Sequence, residues 1–272
     1  MEKFLLTVFF KIAGISSASG IVLQDSSLFI ISDNSGFLYE YSMHSLHLKQ
    51  HALIDNSTEN ILKKNKPDFE AITLNGNELH VFGSGSTEKR NRQLIFNTKT
   101  KQTSEVNLEP LYQKIKKESH ISNDDLNIEG ALYYKDNLHL FQRGNGANAK
   151  NGIAIVNNNG NINFQNIKLP KIKHVETSFT DAILVNDKIY FLAAAEDTLS
   201  TYDDGEVLGS IIGCIDVETF GIDFTLQISN THKFEGLTLY KNSKSHLEFL
   251  LCEDNDTEEL ETKIYKLTIP KK

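Results

Sequence analysis

Short apolar segments, separated by polar turns, run along the whole chain of 272 residues. Segments such as "SLFIIS", "ELHVFG" and "HLEFLLC" are alternating or fully apolar, which is typical of half-buried or buried β-strands. The segments "NGNE", "VNDK" and "NNNGN" stand between strands, and their Asn, Asp and Gly residues favour tight turns because they tolerate positive φ angles. The pattern predicts an all-β protein.

The predicted strands recur in a unit that begins with an acidic or polar residue, followed by a small residue and an apolar run. The heads are Glu70 in "EAITL", Glu129 in "EGALY", Glu235 in "EGLTL", Asp181 in "DAILV" and Ser19 in "SGIVL". They lie 51 to 59 residues apart, and further strand patterns follow each head. Such a period, with about four short strands per unit, is typical of a β-propeller.

Five copies of the unit predict a single propeller domain over residues 1–272, with five blades of about four antiparallel strands. The last copy ends at its third strand, "IYKLTI", so the N-terminal "FLLTVFFKI" is predicted to join the C-terminal blade and close the ring. Six blades are the alternative. A degenerate sixth blade would lie between residues 106 and 125, although "PLYQKIKKESH" there resembles a short helix or a loop insertion.

The N-terminus also has the charge and the apolar run of a signal peptide, but the run is short and Lys11 interrupts it, which favours a strand. No segment has the length of apolar sequence that a membrane span needs. Cys214 and Cys252 stand alone, without metal-site spacing, and fit buried thiols in a reducing compartment. We therefore predict a cytoplasmic protein that does not bind membranes, with export to the periplasm as the alternative.

Composition adds little to this picture. Hydrophobic residues make up 39% of the chain and charged residues 24%, which is enough apolar material for a sizeable core. The formal net charge is −8 and we find no basic stripe, so a nucleic-acid partner is not expected. The sequence does not indicate a protein partner.

In a propeller blade, the first strand lies next to the central axis, so its head is predicted to stand at the mouth of the channel. The second strand runs back, and its end returns to the same face. A small-molecule ligand is therefore expected at this rim, and an anionic one is compatible with its arginines. The predicted ligand-binding residues are Asp33, Asn34, Ser84, Arg90, Arg143, Asn145, Glu196, Asp197 and Asp254.

Carboxylates that converge on one axis need a cation, or else their pKa values rise. Calcium suits a site made only of oxygen ligands, and we predict Glu70, Glu129, Asp181 and Glu235 as its ligands. The arginines of the rim could instead neutralise the acids. A third interpretation is that these acids only accept hydrogen bonds from the backbone of the neighbouring blade.

The acidic heads, the opening "SASGI…SDNSG" and the close "KFEGL…LCEDND" resemble bacterial propellers of the phytase-like and SdiA-regulated families. The resemblance implies calcium on an acidic channel face and hydrolysis of phosphate esters. It makes Glu70, Glu129, Asp181 and Glu235 the calcium-side acids and Arg143 a phosphate contact. The chain departs from the phytase-like pattern in having five repeats rather than six, and few lysines fall on the predicted rim.

Three functions are compatible with the sequence. The first is a calcium-dependent hydrolase of a phosphate ester or lactone, in which Glu129 or Asp181 is the general base and Arg143 stabilises the developing anion. The second is a non-enzymatic propeller that binds a small ligand or a protein over an axial ion. The third is a structural scaffold. A GxSxG motif does not occur, which disfavours serine catalysis.

Overall fold

The computed structural model describes residues 4–146, 148, 150–201, 205–254 and 259–271. Five four-stranded antiparallel sheets form a ring in this structure. The innermost strand of each sheet contacts the innermost strand of the next sheet, and the fifth contacts the first. The prediction of a five-bladed β-propeller is confirmed.

The strands are numbered in chain order, and the order within each blade runs from the innermost strand outward. Blade 1 contains β2 (Ala18–Gln24), β3 (Ser27–Ser32), β4 (Phe37–Ser42) and β5 (His47–Ala52). Blade 2 contains β6 (Phe69–Asn75), β7 (Glu78–Gly83), β8 (Arg92–Asn97) and β9 (Thr103–Asn107). Blade 3 contains β10 (Ile128–Tyr134), β11 (Asn137–Gln142), β12 (Gly152–Val156) and β13 (Ile162–Asn166). Blade 4 contains β16 (Ser178–Val185), β17 (Lys188–Asp197), β18 (Glu206–Asp216) and β19 (Ile222–Ser229). Blade 5 contains β20 (Phe234–Asn242), β21 (His246–Glu253), β22 (Glu261–Pro270) and β1 (Leu5–Ala13). An additional hairpin, β14 (Lys171–Ile172) and β15 (Val175–Glu176), connects blades 3 and 4.

Burial decreases from the axis to the outside of each blade. The first five residues of β2 and of β10 are all buried, whereas β9 is exposed along its whole length. The inner strands can be apolar throughout because neighbouring blades cover both of their faces. Because the inner strands are the most buried, their apolar runs are the part of the repeat that is clearest in the sequence.

Two hairpins show how the turn residues fix the blade geometry. Asn186 and Asp187 join β16 to β17 with φ angles of 49° and 58°. Lys135 and Asp136 join β10 to β11 with φ angles of 47° and 64°. Positive φ at both central residues is the hallmark of the type I′ turn, whose twist matches that of the flanking strands. The turn predicted at "VNDK" is therefore confirmed.

Aromatic side chains fill the space between blades. Between blades 3 and 4 the ring of Phe179 stands edge-to-face against Phe141 at 5.2 Å and against Phe191 at 5.1 Å. All three side chains are fully buried, and each such burial stabilises the fold by about 2–3 kcal/mol.

The ring closes through the N-terminal strand, as predicted. β1 pairs antiparallel with β22, from Leu5 opposite Thr268 to Ala13 opposite Glu261. The fourth strand of blade 5 thus comes from the opposite end of the chain. The pairing of β1 with β22 covers an edge of β22 that would otherwise be open. Unfolding of this blade therefore requires β1 and β22 to separate.

The stretch between β9 and β10 forms a helix, so the alternative of a sixth blade between residues 106 and 125 is wrong. Helix α1 (Glu109–Ser119) begins after Asn107, whose side chain accepts a hydrogen bond from the Glu109 N–H at 2.9 Å. It is anchored by Tyr112, which is fully buried and donates a hydrogen bond from its hydroxyl to the Gly83 carbonyl at 2.7 Å. A short 3₁₀ helix (Glu88–Arg90) lies between β7 and β8.

Both cysteines are free and buried, as the sequence predicted. In the described residues, none of the helices is long and apolar enough to cross a membrane.

Candidate functional site

A β-bulge marks the head of every inner strand. In each blade, one residue of the inner strand is skipped in the pairing with the second strand, so that two residues oppose one. The skipped residues are Ser19, Glu70, Glu129, Thr180 and Glu235. The three glutamates of this set line a cavity at the channel mouth. The bulge is therefore the structural counterpart of the repeat seen in the sequence.

The predicted head of the inner strand in blade 4, Asp181, is wrong by one residue. Thr180, not Asp181, occupies the bulge that Glu70, Glu129 and Glu235 occupy in other blades. Asp181 is 2% exposed, and its two carboxylate oxygens accept hydrogen bonds from the N–H groups of Ala182 and Leu237, each at 2.7 Å. Burial raises the pKa of Asp181 well above its ordinary value, although these two hydrogen bonds oppose the rise. Asp181 links blades 4 and 5 and is not among the residues that line the cavity.

The two hydroxyl residues at the bulges also connect blades. Ser19 donates to the carbonyl of Phe69 at 2.5 Å, and Thr180 donates to the carbonyl of Phe234 at 2.6 Å. In both cases the acceptor precedes the bulge of the next inner strand. The packing interpretation, in which the head residue binds the neighbouring backbone, thus describes Ser19, Thr180 and Asp181.

The cavity at the channel mouth has a volume of about 220 Å³ and is lined mainly by charged side chains. The acids are Asp33, Asp68, Glu70, Glu129, Glu196, Glu235 and Asp254, and the bases are Lys63, Lys66, Arg90, Arg143 and Lys233. Polar side chains complete the wall, among them Asn34, Asn127, Asn145, Ser200 and Thr201. Ten of these twelve charged residues form two clusters.

The Asp68 cluster consists of Asp33, Lys66, Asp68, Glu70 and Arg90, on blades 1 and 2. Asp68 accepts ion pairs from Lys66 at 2.9 Å and from Arg90 at 2.8 Å, and Lys66 also bonds Asp33. Although burial opposes ionisation, Lys66 and Arg90 hold the pKa of Asp68 below its ordinary value. Asp68 is therefore the fixed negative charge of this cluster.

Two acids of the Asp68 cluster have carboxylate oxygens without a partner among the described residues. In the described part of the chain, the Glu70 carboxylate makes no hydrogen bond or ion pair. The Oδ1 atom of Asp33 is buried and has no hydrogen-bond partner there either. Burial and the negative charges of Asp68, Glu129 and other neighbours raise the pKa of Glu70 well above its ordinary value. Burial also raises the pKa of Asp33 to about 7, although Lys66 opposes the rise.

These three acids lie within reach of a single ion. One carboxylate oxygen from each of Asp33, Asp68 and Glu70 lies within 4.8 Å of the other two. The predicted set of Glu70, Glu129, Asp181 and Glu235 shares only Glu70 with this group. The difference arises because Asp33 and Asp68 lie on the loops that flank the bulge, whereas Glu129 and Glu235 each have a cationic partner of their own.

The Arg143 cluster consists of Glu129, Arg143, Glu196, Lys233 and Glu235, on blades 3 to 5. Arg143 bonds Glu129 through Nη1 at 3.1 Å and bonds Glu196 through Nη2. Lys233 lies 2.9 Å from Glu235 and 3.7 Å from Glu196. Burial disfavours the charged form of Glu196, but Arg143 and Lys233 outweigh it and lower its pKa to about 2. Glu196 thus connects the two cations of the cluster.

The other predicted ligand-binding residues divide into those that line the cavity and those that do not. Asn34, Asn145 and Asp254 line it, and the buried Oδ1 atom of Asn145 has no hydrogen-bond partner among the described residues. Ser84 lies behind the wall and donates a hydrogen bond to Asp68. Asp197 points away, since it is 51% exposed and pairs with His174 at 3.1 Å.

Sequence reasoning missed the lysines of the site. Lys63, Lys66 and Lys233 line the cavity, so the expectation of few lysines at the rim was wrong. Lys233 could have been found, because it stands two residues before the bulge, as Asp68 and Asn127 do in their blades. Lys63 and Lys66 belong to the loop between β5 and β6, for which the repeat provides no equivalent.

Residues 14–269 match the model of a family of unknown function, DUF6929. The chain belongs to this family. The resemblance to phytase-like and SdiA-regulated propellers therefore holds at the level of the fold, and membership of those families stays a prediction. No curated protein matches the sequence significantly.

Several solved structures share the DUF6929 chain's fold. The glutaminyl cyclase of Myxococcus xanthus superposes with a TM-score of 0.57 at 12% identity, over 98% of this chain and 97% of that one. The allergen Mala s 1 of Malassezia sympodialis gives 0.56 at 10% identity, over 94% and 95%. A GH32 beta-fructofuranosidase of Bombyx mori, in complex with sucrose, gives 0.56 at 10% identity, over 92% of this chain and 59% of that one. At such identities the likeness shows the fold alone.

Proposed function

We propose that the channel mouth of this propeller binds a calcium ion through Asp33, Asp68 and Glu70, and holds a small anionic ligand next to the ion. One observation carries the proposal: three carboxylate oxygens lie within 4.8 Å of one another, and Glu70 and one oxygen of Asp33 lack partners in the described part of the chain. Buried polar groups in native proteins are nearly always paired, so the buried Oδ1 atom of Asp33 points to a missing partner, and the Glu70 carboxylate lines the same cavity.

The donor set fits calcium. Calcium takes oxygen ligands at roughly 2.3–2.6 Å, so two oxygens on opposite sides of one ion are about 5.2 Å apart at most. The spacing of the three carboxylates falls within this limit. With one oxygen each, the three carboxylates supply three of the six to eight oxygens that calcium accepts, so positions would stay open for water or a ligand oxygen.

The charge balance favours an anionic ligand. The three carboxylates of the Asp68 cluster face two cations, Lys66 and Arg90, which leaves one net negative charge when all are ionised. A bound divalent cation would turn this total, with Lys66 still at the channel mouth, into one net positive charge. An oxygen-rich anion, such as a phosphate ester or a carboxylate, would then neutralise the site.

We propose hydrolysis of a phosphate ester or lactone as the reaction. When bound, calcium would polarise an oxygen of the substrate. Glu129 would act as the general base: Arg143 and Asn127 both bond its Oε1 atom, at 3.1 and 2.7 Å, so Oε2 is left for a water molecule. Arg143 would stabilise the developing anion. We do not propose Asp181 as a base, because both of its oxygens accept backbone hydrogen bonds.

Calcium titration of the metal-free protein tests the ion site. The unfolding midpoint of the wild type should rise with calcium concentration. At a calcium concentration of a hundred times Kd, the free energy of unfolding should be higher by about 2.7 kcal/mol. Glu70→Gln should lose this response, and Glu206→Gln, which changes an exposed glutamate, should keep it. Equal responses of the wild type and Glu70→Gln would refute the site.

A panel of phosphate esters and lactones tests the reaction. Hydrolysis should require calcium and should be abolished by Glu129→Gln. Turnover that survives this change would remove Glu129 from the mechanism. Stabilisation by a ligand without any turnover would favour the alternative function, a non-enzymatic binding propeller.

We also propose a cytoplasmic location, which two free buried thiols support.

A further inference from the structure

The ammonium group of Lys66 already occupies the place where the ion would bind. Its ammonium group bridges two acids of the Asp68 cluster, since it bonds Asp33 Oδ2 and lies 2.9 Å from Asp68 Oδ1. The side chain is 14% exposed, so water screens these contacts only weakly. Two of the three proposed calcium ligands are therefore shared with an ammonium group of the protein itself.

We propose that Lys66 is a built-in competitor of the calcium ion: the ion displaces the Lys66 ammonium from Asp33 and Asp68, and Lys66 thereby sets the calcium affinity of the site. This inference rests on the proposed function. It assigns to Lys66 the role of an affinity-determining residue that neither the repeat nor the acidic heads suggest.

The second cation of the cluster is held differently. Arg90 lies at the end of the 3₁₀ helix, and its guanidinium group donates to Ser86 Oγ at 2.7 Å and to the Lys63 carbonyl at 3.2 Å, besides its ion pair with Asp68. Its planar group thus has at least three fixed acceptors among the described residues. Among the described residues, the hydrogen bonds and ion pairs of the Lys66 ammonium are to the two carboxylates alone. Lys66 is therefore the cation that can be exchanged.

The chain segment that carries Lys66 allows the exchange. Lys66 belongs to the loop between β5 and β6, and a lysine has a flexible four-carbon stem with a strongly hydrated head. The loop backbone is held at other points, for example by the Ile61 N–H, which donates to the Asn34 carbonyl at 2.7 Å. The ammonium group can thus leave the carboxylates without a change in the strands.

Calorimetric titration of calcium into the metal-free, full-length protein tests the proposal. Lys66→Met removes the competing charge and keeps most of the stem, so its Kd should fall at least tenfold below that of the wild type. Lys64→Met removes the same charge from an exposed position of the same loop and should change Kd by about twofold or less. Lys66→Gln is the second variant in case Lys66→Met does not fold.

Chemical labelling of the wild type gives a readout that needs no variant. Without calcium, Lys66 should react slowly with an amine-acetylating reagent, because its ammonium group is buried between two acids. Saturating calcium should raise its labelling several-fold, measured by peptide mass spectrometry, while the exposed Lys64 should label equally in both states. A role that is only structural would leave the labelling of Lys66 unchanged.

The outcomes separate this inference from the proposed function. If the wild type binds calcium but Lys66→Met and Lys66→Gln do not bind more tightly, the competitor role is overturned and the calcium site stands. If only the Lys66 variants bind, the competitor role is supported, together with the ion site. If neither the wild type nor a folded Lys66 variant binds calcium, both proposals are overturned.

Discussion

Replacement of Glu196 by glutamine tests the electrostatics of the Arg143 cluster. Glu196 is 7% exposed, and its carboxylate bonds Arg143 and lies 3.7 Å from Lys233. Its Oε1 atom also accepts a hydrogen bond from the Gly205 N–H at 2.8 Å. Burial alone would raise its pKa, but the two cations lower it from 4.5 to about 2. Glutamine keeps the shape of the side chain and removes its titration.

The direction and the size of the effect follow from linkage. Because the pKa is lower in the folded protein, the ionised form contributes stability that is fully present above the unfolded value of 4.5 and is lost as the pH falls towards about 2. One pKa unit corresponds to about 1.4 kcal/mol, so the complete loss is about 3 kcal/mol. Between pH 5 and pH 3, the same two pKa values give a loss of about 2 kcal/mol.

Urea denaturation of the wild type and of Glu196→Gln at pH 5, 4 and 3 measures this contribution of ionised Glu196 to the free energy of unfolding. Other carboxylates titrate in both proteins and largely cancel in the difference of their free energies of unfolding. This difference should shrink by about 2 kcal/mol from pH 5 to pH 3. Glu206→Gln, at an exposed position of the same hairpin, is the control. A difference that does not depend on pH would show that Arg143 and Lys233 do not stabilise the charged form of Glu196.

Three further changes test the fold and its ion pairs. Arg143→Met should lower the free energy of unfolding by about 3–5 kcal/mol, measured with urea, because Glu129 and Glu196 lose their buried partner; a loss below about 1 kcal/mol would contradict this. Thr180→Val should cost roughly 1–3 kcal/mol in the same assay, because the Phe234 carbonyl loses its donor, and an unchanged stability would show that the bond is dispensable. Deletion of residues 1–13 should expose the edge of β22 and cause association, which light scattering detects; a monodisperse monomer would argue against the closing role of β1.

The ring could be predicted from the sequence because each blade repeats the same physical problem. An inner strand is covered on both faces, so it must be apolar, and its return turn needs residues such as Asn186 and Asp187 that adopt positive φ. The closing strand was predictable for the same reason, because a blade with three strands leaves an open edge. The short helix α1 was harder to separate from a degenerate blade, since it is an insertion that occurs once.

The candidate site could be predicted only in part, because a bulge shifts the register by one residue. In "SFTDAILV" the acid Asp181 is the obvious match to the glutamate heads, yet the bulge falls on Thr180 and turns Asp181 to the backbone of blade 5. Both assignments place an apolar run after the head, so the hydrophobic pattern cannot distinguish them. The choice depends on the pairing with β17, which a single sequence does not show.

The charge balance of the site depends on residues whose identity changes from blade to blade. Glu70, Glu129 and Glu235 occupy equivalent bulges, but their partners differ. Arg143 pairs with Glu129 and Lys233 pairs with Glu235, whereas Glu70 has no cationic partner among the described residues. Repetition therefore fixes where the acids stand, while residues that differ between blades decide which of them is neutralised. Glu70 is left over because Lys66 and Arg90 pair with Asp68 instead. It follows that the charge of the channel mouth is set in part by residues between the strands, such as Lys66, Arg143 and Lys233, around a regular ring of blades.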